Sequence, residues 1–289
     1  MIGSNLLIDD LAVQVRANEI LNRYGIDTIE VGSILGWAFE CYEKGLITKE
    51  DTDGIELTWG NGDALIAMCE KIGRREGIGN LLAEGLRACV DAIPDSKEFA
   101  VETMGQAVAA HDPRAFFSMV VTTIASTRGS CHLHGNTEGN ESGRTLPELG
   151  ITEATDRFDN TNKGVIGAAY QDNAQIDNSL TGCIIYGGFG LTNKAKLVSY
   201  ITGWDDLTPQ EVGKMGERIV CMQHLFNIKM GLIPEVENVM PERFTKPHKG
   251  GGAAGKVPDW KGIIKEYWHA KGWDEHGIPT EAKIKELGL

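Results

Sequence analysis

Stretches of helical spacing, each closed by residues that cap or stop helices, follow one another along almost the whole chain, while alternating strand patterns are few. That pattern commits the chain to a mainly α fold. Asp9 or Asp10 can accept from the first amides of a helix over residues 6–21, where Leu7, Leu11 and Val15 fall on one face. Gly25 suits the left-handed residue that ends such a helix. Asp27-Thr28 then opens a second helix through Trp37, Phe39 and Tyr42 to Gly45, with Asp27 as a plain cap in the simplest reading. Thr48-Lys49-Glu50-Asp51 and Asn61-Gly62-Asp63 read as two further starts, and residues 77–80 restart the chain into a helix over 81–90.

Pro94-Asp95-Ser96 is the best boundary, and the expected division is into helical domains of residues 1–104 and 105–289. His111-Asp112-Pro113-Arg114 is a turn feeding an apolar helix over 116–125, and the polar stretch 139–159 reads as a surface loop. A helical run begins near Lys163. Beyond it come a short helix around Leu197-Val198, an amphipathic one over 208–229, and closing helices over 260–273 and 279–287. The glycine run at 249–255 reads as a linker, because no strand precedes it to make a phosphate cradle. There is no internal repeat.

Composition narrows the class further. At 42% hydrophobic and 24% charged residues, the chain has the make-up of a soluble globular protein. No run of about 18 apolar residues exists to span a membrane, and Met1–Asn5 does not open a signal peptide. A net charge of −13 argues against nucleic acid, whose phosphates need a basic face. With no export signal, the expected compartment is the cytoplasm. The six cysteines are Cys41, Cys69, Cys89, Cys131, Cys183 and Cys221, and none forms a C-x-x-C pair. Four or five of them fall in helix-like segments and read as small hydrophobes.

Chemistry concentrates where helices stop. Residues 22–28, 128–135 and 178–190 each place polar groups and glycine at a helix end, where backbone groups are left unpaired. In the third, Asn178-Ser179-Leu180-Thr181-Gly182-Cys183 ends in a lone cysteine. Two readings stand: a thiolate presented to a large polar cofactor, or a buried helix-end cysteine.

Ordered short matches extend over nearly the whole chain. They include Tyr24-Gly25-Ile26-Asp27-Thr28-Ile29, Cys41-Tyr42-Glu43-Lys44-Gly45, Asp112-Pro113-Arg114, Arg128-Gly129-Ser130-Cys131-His132-Leu133 and Gly272-Trp273-Asp274-Glu275-His276-Gly277-Ile278-Pro279-Thr280. In these the chain resembles the C-terminal half of the tungsten-containing aldehyde ferredoxin oxidoreductase family. The resemblance implies two helical domains of that type, with the family's N-terminal β domain absent. It implies a tungsten–bis-molybdopterin centre beside a 4Fe–4S cluster. The family's two D-x-x-G-L-(D/C) pterin motifs fall on Asn22–Asp27, with Gly25 and Ile26 inside, and on Asn178–Cys183, with Gly182 inside and Ile184 following. Cys183 then corresponds to a cluster ligand, His132 to the histidine beside the metal, and Arg128 and His134 to pterin contacts.

The departures are specific. Asparagines Asn22 and Asn178 replace both motif-opening aspartates, keeping an acceptor oxygen but losing the charge. Thr181-Gly182 stands where Gly-Leu is usual. The other three cluster cysteines and an acidic residue near the metal belong to the family's N-terminal half, so the expected partner is a chain carrying that half. The expected activity is oxidation of a small-molecule aldehyde to a carboxylic acid, with ferredoxin or another electron-transfer protein as acceptor. The alternatives are a tungsten subunit of a benzoyl-CoA reductase-like enzyme, and a truncated, non-catalytic assembly protein.

Overall fold

Asp10 decides where the first long helix begins. Its Oδ1 accepts from Ala12 N at 2.8 Å and Val13 N at 3.3 Å, capping α1 (Leu11–Tyr24). In the computed structural model, which describes residues 1–183, 189–205 and 207–289, the chain is mainly α and forms two compact units. Unit 1 is Met1–Ala110 with Pro241–Arg243; unit 2 is His111–Met240 with Phe244–Leu289. Among the described residues no helix is long and apolar enough to cross a membrane.

In unit 1, α1 ends at Gly25 (φ 70°), and Asp27 caps α2 (Thr28–Glu43). Asn61 caps α3 (Gly62–Arg74), accepting from Ala64 N at 3.1 Å. These helices close over a core in which Leu21, Leu35, Phe39, Leu65 and Met68 are fully buried. The buried face of α1 is Ala17, Ile20 and Leu21; the Leu7, Leu11 and Val15 face is exposed.

Thr48–Asp51 starts no helix. Asp51 Oδ2 accepts from Thr48 N and Oγ1, Thr52 Oγ1 donates to Ile55 O at 2.6 Å, and Asp53 and Gly54 turn the chain with positive φ. Local side-chain bonds have outcompeted helix propagation there. The helix expected over 81–90 is two short pieces, α4 (Ile78–Leu82) and α5 (Leu86–Ala92), broken at Gly85 (φ 94°). A small hairpin, β1 (Glu102–Thr103) and β2 (Gln106–Ala107), turns at Met104 and Gly105, both with positive φ. Glu30 Oε2 fixes it to α2 by accepting from Ala107 N at 2.9 Å.

Unit 2 contains α6 (Met119–Ile124), α7 (Glu138–Glu141), α8 (Lys163–Ser179), α9 (Leu191–Thr202), α10 (Pro209–Lys229), α11 (Pro234–Glu237), α12 (Trp260–Ala270) and α13 (Glu281–Leu287). A capping box between Thr208 and Glu211 starts α10. The centre is α8, packed against α6, α10 and α12. Small residues allow the approach. A Cβ on Gly164 would lie 2.4 Å from Tyr267 N, and one on Gly216 of α10 would lie 2.2 Å from Asp172 O.

Residues 139–159 are exposed over much of their length, as a surface loop would be, but they are anchored inward at Gly139, Asn140, Leu146 and Ile151. Asn140 is buried, donating to Glu153 O at 2.9 Å and accepting from Thr155 Oγ1 at 2.8 Å. Leu146 and Ile151 pack with Ile166 and Tyr170. Glu141 and Lys163 form a 2.6 Å ion pair with both side chains fully buried. Polar groups are tolerated inside when each is paired, which composition cannot reveal. The glycine run also differs from a linker: it lies within unit 2 and closes on itself through Gly255 N donating to His248 O at 3.0 Å.

Candidate functional site

The segment after α6 is folded back onto that helix. Gly129 turns it with φ 93°, Cys131 N donates to Thr122 O at 3.1 Å, and a Cβ on Gly135 would lie 2.8 Å from Thr122 Cγ2. Within it His134 N donates to Cys131 O at 2.9 Å and Asn136 N to His132 O at 2.8 Å. These bonds turn the two histidines to different surroundings.

His134 is buried in a polar network. Its Nδ1 lies 3.4 Å from Thr127 Oγ1, and Gln175 Nε2 lies 3.5 Å from both ring nitrogens. Thr127 Oγ1 donates to Gln223 Oε1 at 2.6 Å, and Asn227 Nδ2 donates to Thr127 O at 2.6 Å. The segment is thereby tied to both α8 and α10. Burial, reinforced by the Arg128 cation, pushes the His134 ring down to about 4, so it is neutral near pH 7. Arg128 itself is exposed.

His132 is half-buried and stacks on His111, with ring centroids 4.1 Å apart and planes 16° from parallel. Burial first, and then His111, push its ring down to about 4. A neutral, partly accessible imidazole can accept a proton.

At the far end of α8, Gln175 connects outward to Asn178, whose Nδ2 lies 3.5 Å from Gln175 Oε1. The helix stops through Thr181 N donating to Asn178 O at 3.1 Å and Gly182 N donating to Asp177 O at 2.9 Å. Thr181 holds φ 56°. The first motif, in unit 1, stops α1 in the same way: Gly25 N donates to Asn22 O at 3.1 Å and Ile26 N to Leu21 O at 2.9 Å. Both are helix stops of the Schellman type, with a left-handed residue three positions after the asparagine. Asn22 Nδ2 donates to Asn18 O at 2.9 Å. Asp27 Oδ1 accepts from Ile29 N and Glu30 N at 2.7 and 2.9 Å, as a plain cap would.

Cys183 is exposed, whereas the other five cysteines are buried. Burial pushes the thiols of Cys41, Cys69 and Cys89 up to about 12 and also raises that of Cys221, so these pack as inert hydrophobes. Among the described residues no cluster of three or more His, Cys, Asp or Glu could hold a metal ion. Ile184 lies outside the described residues.

In unit 2 the structure thus links His134 and Asn178 through Gln175, while His132 stands apart against His111. Sequence reasoning missed Gln175, Thr127 and Gln223. They carry no local motif, and only the packing of α8 and α10 on the segment makes them partners. His111 had a signal, its place in the His111–Arg114 turn, but nothing local pointed to His132.

The family model for aldehyde ferredoxin oxidoreductase, domains 2 and 3, matches residues 1–289. The tungsten-containing aldehyde ferredoxin oxidoreductase of Pyrococcus horikoshii is 34% identical over 295 residues, covering 100% of this chain and 47% of that protein. The aliphatic sulfonate oxidoreductase, WOR-like subunit, of Pyrococcus furiosus is 31% identical, covering 99% of this chain and 44% of that protein. The chain spans about half the length of the curated relatives it matches. A solved structure of the active site complex BamBC of benzoyl coenzyme A reductase in complex with 1,5-dienoyl-CoA shares the fold. It has a TM-score of 0.74 at 19% identity, covering 97% of this chain and 46% of the other.

Proposed function

The chain belongs to the aldehyde ferredoxin oxidoreductase family, and on that premise we propose that it is the C-terminal half of an oxidoreductase that converts an aldehyde to a carboxylic acid at a tungsten–bispterin centre. A 4Fe–4S cluster, where bound, would supply one-electron transfer to ferredoxin or another electron-transfer protein. The reading is carried by the two matched helix stops at residues 22–27 and 178–183, the second ending in the exposed Cys183.

The side chains at these stops suit a pterin. Asn22 and Asn178 are exposed carboxamides, able to donate to and accept from a heterocycle edge, and Arg128 is an exposed cation for a phosphate. For a cubane cluster the described residues supply one exposed thiol, against the four thiolates such a cluster takes. The remaining ligands are therefore assigned to a partner chain carrying the family's N-terminal half.

When bound, the metal centre supplies the two-electron redox chemistry. This chain's own residues do the rest. Asn22, Gly25, Ile26 and Asp27 at one helix stop, and Asn178, Gly182 and Cys183 at the other, hold and orient the cofactors. His134, locked to Thr127 and Gln175, keeps the Arg128–Gly135 segment in place. His132, neutral and half-buried, accepts a proton released as the aldehyde is oxidised.

The test is purification with the partner chain, followed by tungsten, iron and pterin analysis and aldehyde-dependent dye reduction. Stoichiometric pterin and about four irons per complex, with turnover, are expected. The chain by itself is expected to show no cubane spectrum. A complex free of pterin would refute the reading.

A further inference from the structure

Glycine ends α1 at Gly25, but the β-branched Thr181, at φ 56°, ends α8. Backbone preference works against the second stop, and a residue so placed persists only where its surroundings hold it. Asp177, just before Asn178, supplies the hold in two ways. Its carbonyl oxygen accepts from Gly182 N at 2.9 Å, closing the stop, and its Oδ1 pairs with Lys194 Nζ of α9 at 2.8 Å. Lys194 Nζ also donates to Asn173 Oδ1 at 2.7 Å, one turn back on α8. The side chains of Lys194 and Asp177 are only 3% and 15% exposed. The start of α9 is itself fixed, because Glu148 Oε1 accepts from Thr192 Oγ1 at 3.0 Å.

We propose that Asp177 and Lys194 are positioning residues: their buried pair fixes the last turn of α8 on α9 and so sets where Asn178 and Cys183 are presented. The use made of those two side chains rests on the proposed function, but the anchoring does not. Packing alone would join the helices, since Ile176, Leu191, Ala195 and Val212 form a buried apolar cluster with Leu180 against it. Burying two charges adds little to that stability, because desolvation offsets most of their attraction. What the pair adds is direction. Apolar contact is non-directional, whereas hydrogen bonds from a charged head weaken steeply when the helix slides or turns. Asn173 and Asp177, four residues apart, share one face of α8, and Gln175 and Asn178 lie on the other. Clamping the first face to Lys194 therefore orients the second, which carries the Gln175–Asn178 contact towards His134.

The test is hydrogen exchange at single amides in the full chain, comparing wild type with a double variant, Asp177→Asn with Lys194→Met. That variant removes both charges and leaves the apolar cluster in place. Its melting temperature is expected to stay close to that of wild type, as for buried pairs removed together. Exchange at Thr181 N and Gly182 N is expected to quicken by about tenfold or more, with the mid-helix amides of Gly167 and Ala168 unchanged. Should the double variant fail to fold, Lys194→Met alone carries the same expectation, since water reaches the partly exposed Asp177 carboxylate. In the complete complex, the double variant is expected to alter the electron paramagnetic resonance spectrum of the reduced cluster with iron content unchanged. Unchanged exchange at Thr181 and Gly182 in a folded variant would overturn the proposal, and so would quickened exchange with an identical cluster spectrum. A wild-type complex that holds no cluster would sink the proposed function instead, and the exchange rates would still decide the anchor.

Discussion

Thr181 and Gly25 occupy the same position in two matched helix stops, yet only one of them is suited to it. Thr181 is β-branched and holds φ 56°, while Gly25 holds φ 70° with open space where a Cβ would sit. A left-handed residue with a Cβ costs about 1–2 kcal/mol, partly offset by the greater freedom that glycine loses on folding. Thr181→Gly is therefore expected to stabilise the chain by about 1 kcal/mol, and Gly25→Thr to destabilise it by a similar amount. Denaturant midpoints moving in the same direction for both variants would contradict this. Cys183 and His132 call for a different measurement, made in the complete complex. Cys183→Ala should lose or convert the cluster, because it removes a thiolate ligand. His132→Ala should lower turnover by about 10²–10⁴-fold with metal and iron content intact. Cluster spectra unchanged in the Cys183 variant would remove that residue from the site.

The element on which unit 2 depends is α8. Its polar and charged side chains are buried because neighbouring helices supply partners: Tyr267 donates to Gln171 Oε1 at 2.6 Å, and Lys271 pairs with Asp172. Gly216 lets α10 lie against it, with backbone atoms of Asp172 filling the space a Cβ would need. Gly216→Ala gains up to about 1 kcal/mol in helix propensity. The contact lies backbone to backbone, so the helices must separate, at about 1–3 kcal/mol or more. Overpacking wins, and a net loss of stability is expected. A higher melting temperature for Gly216→Ala would show that α10 can shift without cost. The same reasoning explains why the inward anchors of residues 139–159 leave no mark in the sequence. Asn140 and Glu141 look solvated until Thr155 and Lys163 are seen to satisfy them.

Across the whole molecule, buried histidines set the response to acid. His132, His134 and His224 are each pushed down to about 4 from 6.5, chiefly by burial. Between pH 6.5 and 4 the unfolded chain binds protons at these rings that the folded chain refuses. Their contribution is complete above pH 6.5 and is lost as pH falls towards 4. Asp172 works in the opposite sense. Burial raises it to about 6 from 3.8, so the folded chain holds its proton more tightly and gains stability on acidification through that range. Glu30 and Glu138, also raised by burial, act in the same sense as Asp172, but the three rings, each displaced across the whole interval, dominate, and Tm is expected to fall between pH 7 and 4.5. A flat or rising Tm over that interval would mean that the rings are not desolvated as described.

The sequence by itself determined the helical class, a first cap at Asp9 or Asp10 (the fold selects Asp10), the helix starts at Asp27 and Asn61, and the helix stops at Gly25 and after Asn178. Each depends on bonds between residues at most five apart, and such bonds follow from the local order of residue types. It left Cys183 open between a presented thiolate and a buried helix-end cysteine, and only the fold shows that this thiol is exposed while the other five are buried. Only the tertiary structure decided which polar groups are buried and with whom. His134 meets Gln175 across 41 residues, Thr127 meets Gln223 across 96, and His111 stacks on His132. A hydrogen bond or ring contact between distant positions leaves no periodicity in the chain. It exists because helices such as α8 and α10, packed through their small residues, bring those side chains into a shared interior where each must find a partner.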